Sequence, residues 1–329
     1  MALSSLTPAS SSSIEVFRQF PVEIAIESMI YKECRQSGNV ALTNQIDIPL
    51  ESKGKQMINL DESTLNLRFR VEGAGGAEVE PVEYAADNKT VVNAPTPVTV
   101  VNNIIHSMWE GVQMSLNMTN VYSSRAHAFS HKNFLKILRS LQFQQVSKEE
   151  QMFHLDYPPM LSKSCAIRGG NQGVYARNQR ILHKKSVHVC GPLGLGIATT
   201  KTLLPPAISG KLTLIKASDD YIILTDKEGE AKTFKIIIED VWVKLCLVTL
   251  PQSVLDGLLN NLTKMPATYL YQESEVKEIS FHANNRLPTA QEICSGFMPY
   301  EMVLIMVSQN SHQGAKTSNP FVYEVRFIH

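Results

Sequence analysis

No stretch of this sequence approaches the roughly twenty consecutive apolar residues that a membrane-spanning helix requires. The longest such run, Met302 to Val307, has only the length of a strand. Cysteine is scarce. The five present (Cys34, Cys165, Cys190, Cys246 and Cys294) are odd in number and lack paired spacing. That speaks against a disulfide scaffold and for reduced thiols in a cytosolic or nuclear setting. Neither charge is in excess: 31 lysines and arginines balance 31 aspartates and glutamates across 329 residues. A protein that condenses nucleic acid wants a basic surplus, whereas neutrality does little to hold copies apart and suits self-association. The first residues, MALSSLTPASSSS, have neither the basic start nor the apolar centre of a secretory signal. Their Ser/Thr/Pro/Ala composition predicts a flexible arm over residues 1–13.

What is present is β-forming sequence. In STLNLRFRVE, Leu65, Leu67, Phe69 and Val71 alternate with polar residues, and in GVQMSLNMTN so do Val112, Met114, Leu116 and Met118. Period two of this kind predicts half-buried antiparallel strands. The closing FVYEVRFIH places Phe321, Tyr323, Val325 and Phe327 on one face. MVLIMV does not alternate and reads as a strand covered on both faces. Further strands are expected at 45–50, 185–190, 211–216, 221–225, 268–272 and 276–282. The run Phe234–Leu250 is the most unusual, because as one straight strand it would span about 55 Å. Its apolar residues sit on even positions at Phe234, Ile236 and Ile238 and on odd ones at Val241, Val243, Leu245 and Leu247. The phase flips at Glu239-Asp240, which requires a bulge, a corner or two separate strands.

Helical patterns are few. SSRAHAFSHKNFLKILRSL offers capping serines and then Phe134, Leu135, Leu138 and Leu141 at helical spacing. PQSVLDGLLNNLTKM places Pro251 at a first turn, ahead of an apolar face from Val254 to Leu262. Strict strand–helix alternation is absent, so β-sandwiches with helical inserts are expected. A loop-rich passage at 191–206 is the natural place for a domain junction.

Chemistry-bearing patterns all have plain structural readings. GLGIAT at 194–199 carries Thr199 where a dinucleotide turn needs its third glycine, and reads as a bend. GKLT at 210–213 lacks the hydroxyl residue and the first glycine of a phosphate loop. His127 and His131, four apart on a helix, could share a metal but lack a third ligand, and read as a surface or interface pair. His183, His188 and Cys190 form a looser trio. Glu239-Asp240 is an acidic pair inside an apolar run, read as a solvent-facing bulge or corner rather than acid–base machinery. Arg177, Arg180 and His183–Lys185 form the one local basic cluster, read as a solvated loop. Trp109 and Trp242 read as packing anchors. No catalytic residue, metal ligand or cofactor site is assigned.

Several segments, in order, resemble the double jelly-roll major capsid protein (hexon) of the Polinton/Maverick and adintovirus type. They are SSIEVFRQFPVEIAIES, INLDESTLNLRFRVEG, VNNIIHSMWEGVQMSLNMTNVYSS with the SRAHAF helix, KSVHVCGPL, LLPPAISGKLTLIKASDDYIIL, FKIIIEDVWVKLCLVTLPQSVLDG and GFMPYEMVLIMVSQNSHQGAKTSNPFVYEVRFI. The resemblance implies an all-β chain of two antiparallel eight-stranded jelly rolls side by side with a few short helical inserts. Residues 1–13 would be the flexible arm, 14–198 the first roll and 199–329 the second. It implies a non-enzymatic capsid protein without cofactor or small-molecule ligand, located in the virion and made in the host cytoplasm. Its partners would be itself, as a homotrimeric pseudo-hexagonal capsomer and then an icosahedral lattice, and minor capsid or penton proteins. Double-stranded DNA would be enclosed without specific contact. The alternatives are a single-roll vertex protein assembling as pentamers and a non-viral β-sandwich binding module.

Overall fold

The computed structural model describes residues 26–38, 40, 43–81, 83–84, 86, 91–93, 98–141, 149–154, 156, 171–225, 233–279, 299–313, 317–321 and 324–328. The arm at 1–13, Cys165, Cys294, Tyr323 and residues 280–282 lie outside them. The protein is mostly β, with antiparallel sheets and few helices.

The described residues form fourteen strands: β1 Ser28–Arg35, β2 Gln45–Glu51, β3 Met57–Glu72, β4 Glu83–Tyr84, β5 Val91–Asn93, β6 Val98–Val100, β7 Trp109–Leu116, β8 Thr119–Ser124, β9 Val187–Pro192, β10 Ser209–Lys216, β11 Ile223–Thr225, β12 Lys235–Thr249, β13 Met302–Met306 and β14 Glu324–Ile328. The helices are α1 Ile104–Ser107, α2 Ala128–Leu141, α3 Gln172–Ile181, α4 Asp219–Ile222, α5 Gln252–Leu262 and α6 Gln309–Gln313.

Eight strands build the walls of one sandwich, in two four-stranded sheets ordered β1-β12-β3-β9 and β2-β10-β7-β8. The pairing follows a rule. The first wall strand pairs with the last (β1 with β12), the second with the seventh (β2 with β10), the third with the sixth (β3 with β9), and the fourth with the fifth (β7 with β8). That is a long hairpin of four rungs rolled on itself and closed by β12 on β3 and β10 on β7, the connectivity of a jelly roll. Alternate residues of both sheets meet in one core. Ile46, Ile48, Leu212, Leu214, Val112 and Met114 face Leu65, Leu67, Phe69, Val241, Val243 and Leu245, as period-two patterning dictates.

The expected division at 198/199 is corrected by these pairings. β10 and β12 lie beyond it, yet each is a central strand of a sheet whose other members precede it. One roll therefore spans 28–249. A run of loops between β9 and β10 resembles a linker in sequence, but a rolled hairpin must cross from sheet to sheet there. Beyond Thr249, α5 covers the outer face of the first sheet with Leu258 and the half-buried Val254, over Met57, Cys246, Val248 and Leu250.

β12 is one strand of 15 residues. Its register against β3 skips Glu239, between Ile238 opposite Phe69 and Asp240 opposite Arg68. That extra residue keeps Ile236 and Ile238 on the core side and puts Val241, Val243 and Leu245 there as well, so the phase flip is a bulge. A second irregularity lies on β3, where Thr64 faces Lys244 but Asn59 faces Cys246. The Ser63 hydroxyl fills that gap, donating to Asn59 O and accepting from Cys246 N.

Other expectations change with tertiary context. The alternation in GVQMSLNM runs past the strand. Asn117 and Met118 form a two-residue hairpin turn, both at positive φ, and Met118 is 99% exposed rather than buried. Ser123 and Ser124 pair in β8 instead of capping α2. The 221–225 segment divides into the end of α4 and β11. Residues 268–272 and 276–279 form no regular element and join no ladder among the described residues. Among the described residues β13 pairs with β14 alone, leaving Leu304 and Met306 exposed, so MVLIMV is not covered on both faces by them.

Candidate functional site

The outer face of the β1-β12-β3-β9 sheet carries a dense polar lattice among the described residues. Because the bulge turns both Glu239 and Asp240 outward, their carboxylates meet arginines from neighbouring strands. Glu239 lies 2.8 Å from Arg70 and 3.5 Å from Arg68, and Asp240 lies 3.6 Å from Arg68 and bonds Arg35. Glu33 and Glu72 complete the row on Arg35 and Arg70 at 2.7 and 2.6 Å. Partial burial works against ionisation of Glu239, but the Ser186 hydroxyl and the guanidinium of Arg70 outweigh it and hold the carboxyl below the usual range. Such a group is a poor proton acceptor. The acids are a bulge, as the sequence suggested, but with each side chain about one-fifth exposed they are wedged among arginines rather than solvent-facing.

Beside this row, Trp242 stacks on His188 at 5.1 Å and lies under the Arg35 guanidinium at 4.6 Å. Lys244 lies over Tyr31 at 4.8 Å. The register puts Arg35, Trp242, Asn66 and Cys190 side by side across four strands. This is a charge-balanced wall of paired side chains. Trp109, by contrast, is wholly buried and donates from Nε1 to Ile105 O at 2.9 Å.

The remaining candidates disperse. His183 pairs with Glu78 at 3.6 Å, away from His188 on the wall. No group of three His, Cys, Asp or Glu side chains among the described residues could hold a metal. GKLT lies inside β10, and GLGIAT is a bend ending in a short 3-10 turn at Ile197–Thr199. Arg177 does not belong to the surface basic cluster. It is fully buried, donating to Val100 O and His154 O and pairing with Asp156 at 3.0 Å. His127 and His131 are not a surface pair either. His127 stacks on Tyr221, and His131 packs against Phe321.

The segment VNNIIHS, central to the resemblance, is a polar knot. Asn102 bonds the backbone of His154 twice, and His106 bridges Asn103 and Pro192 O. Sequence reasoning missed Lys132 and Glu273. Lys132 is buried under Tyr122 and paired with Glu273 at 2.5 Å, and Glu273 also accepts the Gly196 amide. A lysine on a helix otherwise rich in apolar residues gave the only signal.

No family model matches the sequence, and no curated protein matches it. Solved structures similar to the chain include the Sputnik virophage determined by cryo-EM, with a TM-score of 0.46 and 11% identity, covering 77% of this chain and 53% of that one. The mavirus major capsid protein is similar with a TM-score of 0.36 and 9% identity over 77% and 52% of the two chains. The Faustovirus major capsid protein has a TM-score of 0.36 and 9% identity over 71% and 56%. The chain thus spans about half the length of the solved chains it matches.

Proposed function

We propose that the protein is a structural subunit of an icosahedral viral shell, a major capsid protein that builds trimeric capsomers. The observation that carries this reading is where the resembling segments fall. INLDESTLNLRFRVEG is β3, KSVHVCGPL spans β9, SGKLTLIKASDD spans β10 and the start of α4, and FKIIIEDVWVKLCLVTLPQSVLDG is β12 running into α5. All are walls of one rolled sandwich or the helix that seals it. A closed antiparallel sandwich with an ion-paired outer wall gives a stiff block whose contacts symmetry can repeat. In the double-roll form, a second roll would follow Thr249, with β13 and β14 among its strands. The capsomer would meet penton proteins at vertices and enclose DNA without reading it. No cofactor enters this scheme.

Completion of one roll within 28–249 favours a second reading, a single-roll vertex protein. Size-exclusion chromatography with light scattering, followed by electron microscopy, separates the two. A trimer that forms hexagonal arrays or shells supports the hexon, and a pentamer supports the vertex protein. A stable monomer with affinity for a glycan overturns both in favour of a binding module.

A further inference from the structure

Rings from distant parts of the chain meet beside α2. His127, just ahead of that helix, lies flat on Tyr221 of α4, with centroids 3.6 Å apart and planes 11° from parallel. His312 of α6 stands edge-on to His127 at 6.4 Å. One helical turn further on, His131 packs 5.4 Å from Phe321, which stacks on Phe134 at 4.7 Å. His127, His131, Phe134 and Tyr221 belong to the sandwich and its inserts, whereas His312 and Phe321 belong to the chain that returns after α5. The cluster is therefore the seam between the two.

The seam is built for neutral imidazole. His127 is held at positive φ, and its Nδ1 is buried without a hydrogen-bond partner. A second proton there would have no acceptor. Among the described residues, the titratable groups facing the seam are His127 and His131 from the α2 side, Tyr221 from α4, His312 from α6 and Glu278 from the strap after α5. Glu278 lies 3.3 Å from His312 Nε2 and is the one acid of the set. Burial raises the Tyr221 hydroxyl well above its usual range, so it stays neutral.

We propose that this seam is an acid-released latch: protonation of His127, reinforced by His131, detaches the segment bearing His312 and Phe321 while the eight-stranded sandwich stays folded. Burial, and then His312, push His127 down to about 4. Burial, and then His127 and His312, push His131 down to about 3. The released form takes up protons at ordinary histidine values, near 6.5, that the latched form refuses. Each unit of pH lost below about 6.5 thus weakens the latch by about tenfold per histidine. Upstream, the strap remains held where Glu273 meets Lys132 and the Tyr269 hydroxyl donates to Leu203 O at 3.1 Å. Release is confined to the chain beyond Glu273.

Hydrogen–deuterium exchange of the whole chain at pH 7.5 and pH 5.0, corrected for intrinsic rates, tests the latch. Peptides over 309–313 are expected to lose at least tenfold in protection at pH 5.0, while those over β12 keep theirs. His127→Phe retains a stacking ring without a basic nitrogen and is expected to lose markedly less protection at pH 5.0 than the wild type, the remainder coming from His131. Should it fail to fold, His127→Asn tolerates the positive φ and does not titrate, so its α6 protection is expected to depend on pH more weakly than that of the wild type, through His131 alone. The latch is overturned if wild-type 309–313 keeps its protection at pH 5.0, if β12 opens together with it, or if the folded variant responds to acid as the wild type does.

Discussion

The Nζ of Lys132 lies 2.5 Å from Oε1 of Glu273, a residue 141 positions away, and 4.3 Å above the ring of Tyr122. The lysine side chain is 8% exposed and the glutamate 33%, so the pair pins an otherwise ladderless strap onto the sandwich. Removing one partner leaves a charge in a poorly hydrated site. Lys132→Met is expected to cost about 1–3 kcal/mol, less than a fully buried pair because Glu273 keeps some water. Urea unfolding checks the magnitude, and faster cleavage by a protease within 266–279 checks the place. Gly196→Ala should cause the same cleavage, since its new Cβ would collide with the Glu273 carboxylate and come within 2.6 Å of Gln272 O.

The bulge at Glu239 makes a sharper test. Glu239→Ala removes the contacts to Arg68, Arg70 and Ser186 at a site about one-fifth exposed, where the arginines keep water, and is expected to cost only about 1 kcal/mol. Deleting Glu239 outright removes the extra residue and turns Val241, Val243, Leu245 and Leu247 to the outer face. Loss of the near-UV circular dichroism of the folded state is expected for the deletion alone. A folded deletion variant would show that the bulge does not set the phase.

Arg177 is expected to be the most sensitive polar position. It is 0% exposed and ties Val100, His154 and Asp156 together, with Asn319 also reaching Asp156 at 3.4 Å. Arg177→Met is expected to cost about 3–5 kcal/mol, because it strands buried acceptors. Arg177→Lys should not restore the loss, since an ammonium cannot span the same fork of acceptors. Thermal or urea denaturation of both variants measures this.

Overall stability should fall in acid. His127 and His131 have folded-state values depressed to about 4 and about 3, so between these and 6.5 the unfolded chain binds protons that the native one does not. Their contribution is fully present above about pH 6.5 and is lost as pH falls, by about 2.5 kcal/mol each at pH 4.5. Urea midpoints at pH 7.5, 6 and 4.5 should decline accordingly, and more gently in His127→Phe. An equal decline in that variant would assign the acid sensitivity elsewhere.

One substitution should stabilise. Met118 sits at φ 65 at the tip of the β7–β8 hairpin, almost wholly exposed. Met118→Gly relieves the left-handed strain at the cost of a freer unfolded chain, for a net gain of about 0.5 kcal/mol. A rise in the urea midpoint without a change in slope would register it.

Much of the wall was legible beforehand. Strand-forming sequence placed β2, β7, β10 and β12 within a few residues and the second half of β3, and the parity change at Glu239 located the bulge. Both signals are local, because a strand half in oil and half in water writes its two faces into alternate residues. What was misread depended on neighbours. Arg177 looked like surface charge because nothing adjacent in sequence announces Val100, His154 and Asp156. MVLIMV looked doubly buried because apolarity gives the demand for cover but not its supply. The junction at 191–206 looked like a boundary because a sheet-to-sheet crossing and a linker share the same turn residues.

By itself the sequence determined that the chain is antiparallel β, where its longest strand changes phase, and that no motif for cofactor or metal is complete. Only the tertiary structure decided that residues on both sides of 198 form one roll, that the acidic bulge is neutralised by three arginines, and that two histidines four apart meet Tyr221 and Phe321. The physical reason is the same in each case. Strand periodicity is set by the pleat of a single segment, but which strands pair, and which charges end up beside which, is set by long-range closure of the rolled hairpin, joining residues as far apart as Arg35 and Trp242.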